Sequence, residues 1–186
     1  MWCAVLMPRN VLFMDRLDSI VVAMFRLVVN GGVSGPSLRA IAAEAGISPA
    51  GVINHFGSAD RVWGLAAHRW ARDRAGARLY PTGAAGVASL LPEDQHGADD
   101  LAFDFALSSI GRGHTGIADA MSGLRLAERE RLARLLPELG EPDLDLTVAV
   151  IEGLRYAISL PEGALPIARA RGALQQFLDG KVTSAS

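Results

Sequence analysis

The sequence contains a single cysteine, and charged residues make up only 20% of its 186 positions. One cysteine, Cys3, excludes an intrachain disulfide and suits a reducing cytoplasm. No run of 18 apolar residues without a charge occurs, so we predict no membrane-spanning helix. Half of the residues are hydrophobic, which argues against disorder. The apolar surplus instead predicts a subunit interface or a ligand cavity.

Motifs that carry catalytic chemistry are also missing. We find no glycine-rich phosphate loop followed by lysine, no nucleophile elbow and no pair of cysteines, so we predict no catalytic residue, no cofactor and no enzymatic activity. Several histidines and aspartates near the middle of the chain could be imagined as metal ligands, but their spacing matches no ligand motif and favours solvated loops: His96, Asp99, Asp100, Asp104 and His114. We therefore predict no metal site.

Charge is divided unevenly along the chain. Residues 1–80 contain nine arginines and five acidic residues, whereas the remainder is acidic and brings the net charge to −2. A basic N-terminal part favours contact with phosphates. Two mixed-charge runs, 69–78 and 125–136, are more typical of solvated helix faces.

Helical periodicity dominates the sequence and predicts an all-α fold. We predict a flexible N-terminal arm over 1–14, a three-helix head over 15–58 and a helical body over 59–186, with the head joined to the body by a long helix. The first helix is expected from Asp15 to Val29. Later helices are expected near 84–91, 102–110, 116–136, 143–160 and 164–178, after a boundary rich in Gly, Ala and Pro at 76–98.

The informative segment is residues 37–62, where two short helices are separated by a tight turn. Ser37 and Ser48 are favoured N-cap residues, and Pro49 suits the first helical position because its missing N–H has no helical partner there. Gly46 supplies the backbone conformation of the turn. This pattern predicts a helix-turn-helix whose last helix, from Pro49 to His55, lies in the major groove of DNA.

The blocks IAAEAGIS at 41–48 and HFGS at 55–58 resemble the tetracycline-repressor (TetR) family of bacterial regulators. The resemblance implies a homodimer in which the head over 15–58 is a helix-turn-helix DNA-binding domain that binds an operator. It also implies that the body over 59–186 is an effector-binding and dimerisation domain, and that a small inducer bound there releases the operator. Family members usually carry a tyrosine where this chain has Ile53 or Asn54, and a lysine at the position of Ala59, both of which usually meet the DNA backbone. A ligand-binding or protein-interaction module with weak operator binding therefore stays open as an alternative.

The expected DNA contacts are cap residues and side chains of the last helix of the motif: Ser37, Arg39, Ser48, Pro49, Ala50, Gly51, Asn54 and His55. The amide of Asn54 suits adenine, although a solvated position is equally compatible. His55 would contact phosphate or cap its helix. Arg9, Arg39 and Arg61 would take over some of the phosphate binding that the family's tyrosine and lysine usually provide.

A ligand cavity and a dimer interface are expected in the body. The cavity would be lined by the following apolar and aromatic residues, although residues of this kind at helical spacing more often belong to plain core packing: Trp70, Phe103, Leu107, Ile110, Met121, Leu124 and Tyr156. Helices 143–160 and 164–178 carry more apolar surface than one core-facing stripe needs, which favours a four-helix dimer bundle over packing inside a monomer. Small residues would allow close helix approach there: Gly153, Ala157, Ala168, Ala170, Gly172 and Ala173.

Overall fold

The computed structural model of the chain describes residues 9–31, 35–76 and 83–184, with side chains over 13–31, 35–76 and 86–180. In those ranges every regular element is helical, which confirms the all-α prediction. The helices are α1 (Arg9–Gly31), α2 (Leu38–Glu44), α3 (Pro49–Phe56), α4 (Ala59–Gly76), α5 (Gly83–Ala88), α6 (Gln95–Ile110), α7 (Thr115–Leu135), α8 (Glu141–Ser159) and α9 (Ile167–Ser184), with a 3-10 turn at Gly111–Gly113. None of these helices, as far as they are described, is long and apolar enough to cross a bilayer.

The first helix starts earlier than its apolar stripe indicated. It begins at Arg9 rather than Asp15, so residues 9–14 of the predicted arm are helical, and residues 1–8 lie outside the described residues. The reason is visible at Phe13, whose ring packs against that of Phe56 with 5.0 Å between ring centroids. A contact 43 positions away leaves no trace in local periodicity.

The described chain divides into two compact units. The first comprises the chain up to Arg74 together with Ala106–Ser122, and the second comprises Ala75–Phe105 together with the chain from Gly123 onward. Helices α4, α6 and α7 therefore contribute residues to both units. The functional division into 15–58 and 59–186 stays a prediction.

In the first unit, α1 packs on α2 and α2 packs on α3. The buried side chains of this unit include Ile20, Met24, Ile41, Val52 and Phe56. Burial of these apolar groups stabilises the three-helix arrangement, since removing apolar surface from water is the main favourable term in folding.

One residue of the 69–78 charge run is not solvated as predicted. Arg69 of α4 donates a hydrogen bond from Nε to Asp18 of α1 at 2.8 Å, and its side chain also pairs with Asp73. The hydrogen bond to Asp18 raises the pKa of Arg69, and this effect outweighs the opposing effect of burial. Arg69 thus ties α4 to α1.

In the second unit, α9 packs against α8 and α5. Its core combines residues of α5, the following turn and α6 to α9: Val87, Leu90, Leu91, Ala98, Leu132, Leu136, Leu144, Ile151, Ile158, Ala170, Leu174 and Leu178. Two arginines donate to carbonyl groups at and beyond the end of α5: Arg155 of α8 donates to Leu90 O at 3.0 Å, and Arg171 of α9 donates to Ala88 O at 3.1 Å.

Candidate nucleic-acid interface

The turn between α2 and α3 forms through local capping, as the sequence predicts. Ser37 Oγ accepts from Ala40 N at 3.2 Å, and Ser48 Oγ accepts from Gly51 N at 3.0 Å. Gly46 has φ +68°, a left-handed conformation that side chains resist. Pro49 lies in the first turn of α3. The predicted caps and turn are therefore confirmed.

Two buried side chains hold α3 against the rest of the head. Val52 is fully buried and Phe56 nearly so, whereas Ser48, Pro49, Ala50, Asn54 and His55 are exposed. Residues four apart share one face of a helix, so Val52 and Phe56 occupy the buried face of α3. The exposed residues lie on the remaining surface of the helix, which is open to a ligand. The predicted DNA contacts on α3 thus lie together on an accessible surface.

Gly51, also predicted to face DNA, is half-buried and has a structural role in the cap. A Cβ atom at this position would lie 2.9 Å from Ser48 Oγ, too close for both to keep their places. The absence of a side chain therefore allows the hydroxyl of Ser48 to sit over the first turn and accept from the Gly51 amide.

Helix α1 also contributes to this surface, which local sequence patterns did not predict. Arg16 Nη1 lies 3.5 Å from His55 Nδ1, and the ring of Phe13 stacks on that of His55 with 6.2 Å between centroids and 17° between planes. These contacts join the end of α3 to the first helix. Arg16 thereby adds a positive charge beside the open face of α3. Arg16 is half-buried at the edge of the apolar stripe of α1, and no local pattern indicated its contact with His55.

The other candidate phosphate contacts lie at the starts of α2 and α4. Ser37, Arg39 and Arg61 are exposed. The Arg61 side chain lies beside the turn at Gly57, 3.9 Å from the position that a Cβ atom on Gly57 would occupy. Ser58 caps α4 by accepting from Arg61 N at 3.2 Å. The side chain of Arg9 lies outside the described residues.

At the positions where the sequence departs from the TetR pattern, the side chains differ in exposure. Ile53 and Ala59 are half-buried, and Asn54 is exposed. Of these three residues, Asn54 is the one with an exposed polar side chain. Its proposed contact with adenine stays a prediction.

His114, considered above as a metal ligand, has a different partner in the first unit. Its Nδ1 lies 2.7 Å from Asp60 Oδ1 in the first turn of α4, and its ring stacks on Trp63 with 6.3 Å between centroids. The backbones of α4 and α7 also approach closely at Gly64 and Gly116, where a Cβ on Gly116 would lie 3.1 Å from Gly64 Cα. This corner fixes the start of the helix that follows α3.

The residues predicted to line an effector cavity are mostly buried. Phe103, Leu107, Met121 and Leu124 are at most 5% exposed, Ile110 and Trp70 are half-buried, and Tyr156 is 55% exposed with its ring against Phe105 at 5.4 Å. They are divided between the two units, with Trp70, Leu107, Ile110 and Met121 in the first. Their role as a ligand site stays a prediction.

Part of the outward surface of α8 and α9 is apolar or small, beside exposed polar residues such as Asp145 on α8 and Arg169 and Gln175 on α9. On α8, Leu146 and Tyr156 are among the most exposed large hydrophobic residues, and Gly153 is exposed between them with nothing within 4 Å of its Cβ position. On α9, Ala168, Gly172 and Ala173 are exposed. Ala170 differs from the prediction because it is fully buried in the core of its own unit.

The helix-turn-helix followed by α4 and a helical body is the fold of TetR-family regulators. A transcriptional regulator from Rhodococcus sp. Rha1 superposes with a TM-score of 0.75 at 19% identity, covering 90% of this chain and 96% of its own. A Rhodococcus sp. protein described as TetR-family gives 0.64 at 17% identity, covering 90% and 98%. The multidrug binding protein EbrR complexed with proflavin gives 0.57 at 19%, covering 87% and 98%.

No family model matches the sequence, and no curated protein matches it. At the identities of the solved structures the likeness establishes the fold. The resemblance drawn from residues 41–48 and 55–58 is confirmed at that level.

Proposed function

We propose that the protein is a DNA-binding transcriptional regulator that represses its target and is released from its operator by a small-molecule effector. The observation that carries this proposal is the open face of α3, with Ser48, Asn54 and His55 exposed while Val52 and Phe56 anchor the helix. The fold supports it, since neighbours are described as transcriptional regulators and one, EbrR, is described as multidrug binding.

Phosphate contacts supply most of the binding energy in the proposed complex, and base contacts supply the sequence preference. Arg16 of α1, Arg39 at the start of α2 and Arg61 at the start of α4 would neutralise phosphates. Asn54 would pair bidentately with adenine in the major groove. The small side chains of Pro49 and Ala50 would allow the start of α3 to approach the base edges closely.

The test of DNA binding uses fluorescence anisotropy with duplexes from the DNA flanking the protein's own gene. Affinity should fall with salt at a slope of about −0.9 per phosphate contact, and Arg39→Ala should reduce that slope by about one contact. Asn54→Ala should weaken binding to the preferred duplex but not to random DNA. Ser122→Ala, at an exposed position of α7 outside the proposed DNA and dimer surfaces, is the control. Absence of salt-sensitive, sequence-preferring binding would refute the proposal.

A homodimer would pair the outward faces of α8 and α9 from two copies in a four-helix bundle. Exposed Leu146, Gly153 and Gly172 support this arrangement, because glycines without neighbours let helix backbones approach and an isologous interface needs a self-complementary patch. Pairing would also give two heads a fixed half-site spacing.

The dimer is tested by sedimentation of Gly153→Arg, which should be monomeric because a long cation would occupy the paired faces. Gly123→Arg on α7 is a matched control, since its Cβ position also has nothing within 4 Å. If both variants dissociate into monomers to the same extent, or if neither does, the outward faces of α8 and α9 are not the dimer interface.

The alternative function is a ligand-binding or protein-interaction module with weak operator binding. It is favoured by Ile53 and Ala59, which present no polar atoms to DNA. Ile53→Tyr combined with Ala59→Lys distinguishes the two. Under the alternative this double variant gains DNA binding that the natural chain lacks, whereas under the main proposal the natural chain already binds.

The effector of the proposed regulator would bind in the cytoplasm, and no catalytic step is assigned to the protein. Ligands that bind the folded chain raise its unfolding temperature by mass action. A thermal-shift screen followed by operator release in the anisotropy assay therefore identifies effectors. A compound that raises the unfolding temperature without releasing DNA would not qualify.

A further inference from the structure

The second unit contains an apolar cavity between α7 and α8, here called the α7–α8 cavity. Its volume is about 210 Å³, and its apolar lining is Leu90, Leu126, Leu132, Val148 and Ile151. An engineered apolar cavity of about 150 Å³ holds benzene. The α7–α8 cavity therefore accommodates one ring with a short substituent. None of the residues predicted from the sequence to bind an effector lines it.

An ion-pair cluster centred on Arg155 lies at one side of the cavity. The Arg155 side chain is 7% exposed and donates to Glu128 at 2.9 Å and to Glu152 at 3.0 Å. Burial alone lowers the pKa of Arg155, but attraction and hydrogen bonding to Glu128, with Glu152 and Asp104 assisting, raise it overall. One guanidinium thus faces more than one carboxylate, so the cluster has a surplus of negative charge.

A second cluster is centred on Arg129, which also lines the cavity. Arg129 donates to Asp145 at 2.9 Å and is hydrogen-bonded to Glu141. Arg125 adds one positive charge to the lining. Of the charged residues that line the cavity, three are arginines and two are glutamates, whereas Asp145 and Glu141 lie outside the lining and are 65% and 76% exposed. Because Arg129 is already paired with those two carboxylates, the unbalanced negative charge of the lining lies at Arg155, where two glutamates share one guanidinium and a cation is attracted.

We propose that the α7–α8 cavity binds a small organic cation, namely a monocyclic aromatic amine. Its ring would pack against Leu132 and Ile151, which are buried, and against half-buried Val148, so that apolar surface is removed from water. Its ammonium group would point to Glu152, which is 35% exposed and so more accessible than Glu128 at 19%. This inference does not depend on the proposed function, since binding is measured without DNA.

The test compares three probes of equal size and different charge on the full-length protein by isothermal titration calorimetry. Phenethylamine should bind about tenfold more tightly than uncharged phenethyl alcohol, a difference typical of one desolvated charge interaction. Phenylacetate should bind most weakly. Equal affinities for amine and alcohol, tighter binding of phenylacetate, or no binding of the amine would each overturn the proposal.

Two variants locate the site. Glu152→Gln keeps the shape and removes the charge, so amine affinity should fall to that of the alcohol while alcohol affinity is unchanged. Glu130→Gln, an exposed residue of α7 outside the cavity, should change neither. Val148→Phe should fill the cavity and abolish binding of all probes, with the unfolding temperature confirming a folded protein.

The result that would overturn this location is unchanged amine affinity in both Glu152→Gln and Val148→Phe. Coverage of the cavity by a second copy of the chain would also overturn it. In that case amine affinity would fall as protein concentration rises.

Discussion

Replacing Arg155 with methionine should destabilise the protein more than any other arginine substitution among the pairs described above. The variant leaves Glu128, whose side chain is 19% exposed, without its cation. It also leaves the carbonyl of Leu90 without its donor. Removing one partner of a buried ion pair costs about 3 kcal/mol, because the remaining charge stays desolvated, so we expect a loss of that size in the free energy of unfolding.

The assay is urea unfolding followed by circular dichroism, at one fixed protein concentration because association contributes to stability. Arg129→Met is the matched control. Arg129 also faces two carboxylates, but these are 65% and 76% exposed, so water solvates them after the change and the loss should be much smaller.

A double variant measures how much of the lost stability comes from the Glu128 carboxylate that Arg155→Met leaves without a cation. Adding Glu128→Gln to Arg155→Met removes the stranded carboxylate, so a substantial part of the lost stability should return. The reasoning is refuted if Arg155→Met costs no more than Arg129→Met, or if the second substitution makes the protein less stable still.

Three further predictions concern the first unit and are checked by thermal unfolding. Ser48→Ala should cost about 1 kcal/mol because the cap to the start of α3 is removed, and Ser48→Asp should restore it. Gly46→Ala should cost about 1 kcal/mol through its positive φ alone, with Gly46→Asn milder; equal stability of Gly46→Ala and the natural protein would contradict this. Gly116→Ala should cost about 2 kcal/mol, because its Cβ would press on the backbone of Gly64. Gly123→Ala, with open space around it, should instead stabilise α7 slightly.

The parts of the fold that could be predicted from the sequence are those set by local chemistry. The caps at Ser37 and Ser48 and the turn at Gly46 depend on residues within four positions of one another, so their pattern is legible in the sequence. On α8 the apolar residues occupy more than one face, so periodicity alone does not separate the buried Leu144, Ile151 and Ile158 from the exposed Leu146.

The parts that could not be predicted depend on distant partners. The run 125–136 has the alternating charges of a solvated face, yet Glu128 pairs with Arg155, 27 positions away. The contact of Arg16 with His55 joins positions 39 apart. The close approach of Gly64 and Gly116 depends on how two helices cross. In each case the residue type is compatible with several environments, and only tertiary packing selects one.

The composition of α3 limits how the proposed regulator would distinguish DNA sequences. Pro49, Ala50 and Gly51 carry no hydrogen-bonding side chain, so polar base contacts from this helix fall to Ser48, Asn54 and His55. Ser48 Oγ already accepts from the Gly51 amide, and His55 is held between Phe13 and Arg16. Asn54 is thus the side chain most available for direct readout, and phosphate contacts and DNA shape must supply the remaining preference. Because α1 holds His55, the orientation of the reading surface depends on a helix outside the motif, and changes at Phe13 or Arg16 should alter DNA binding without touching α3.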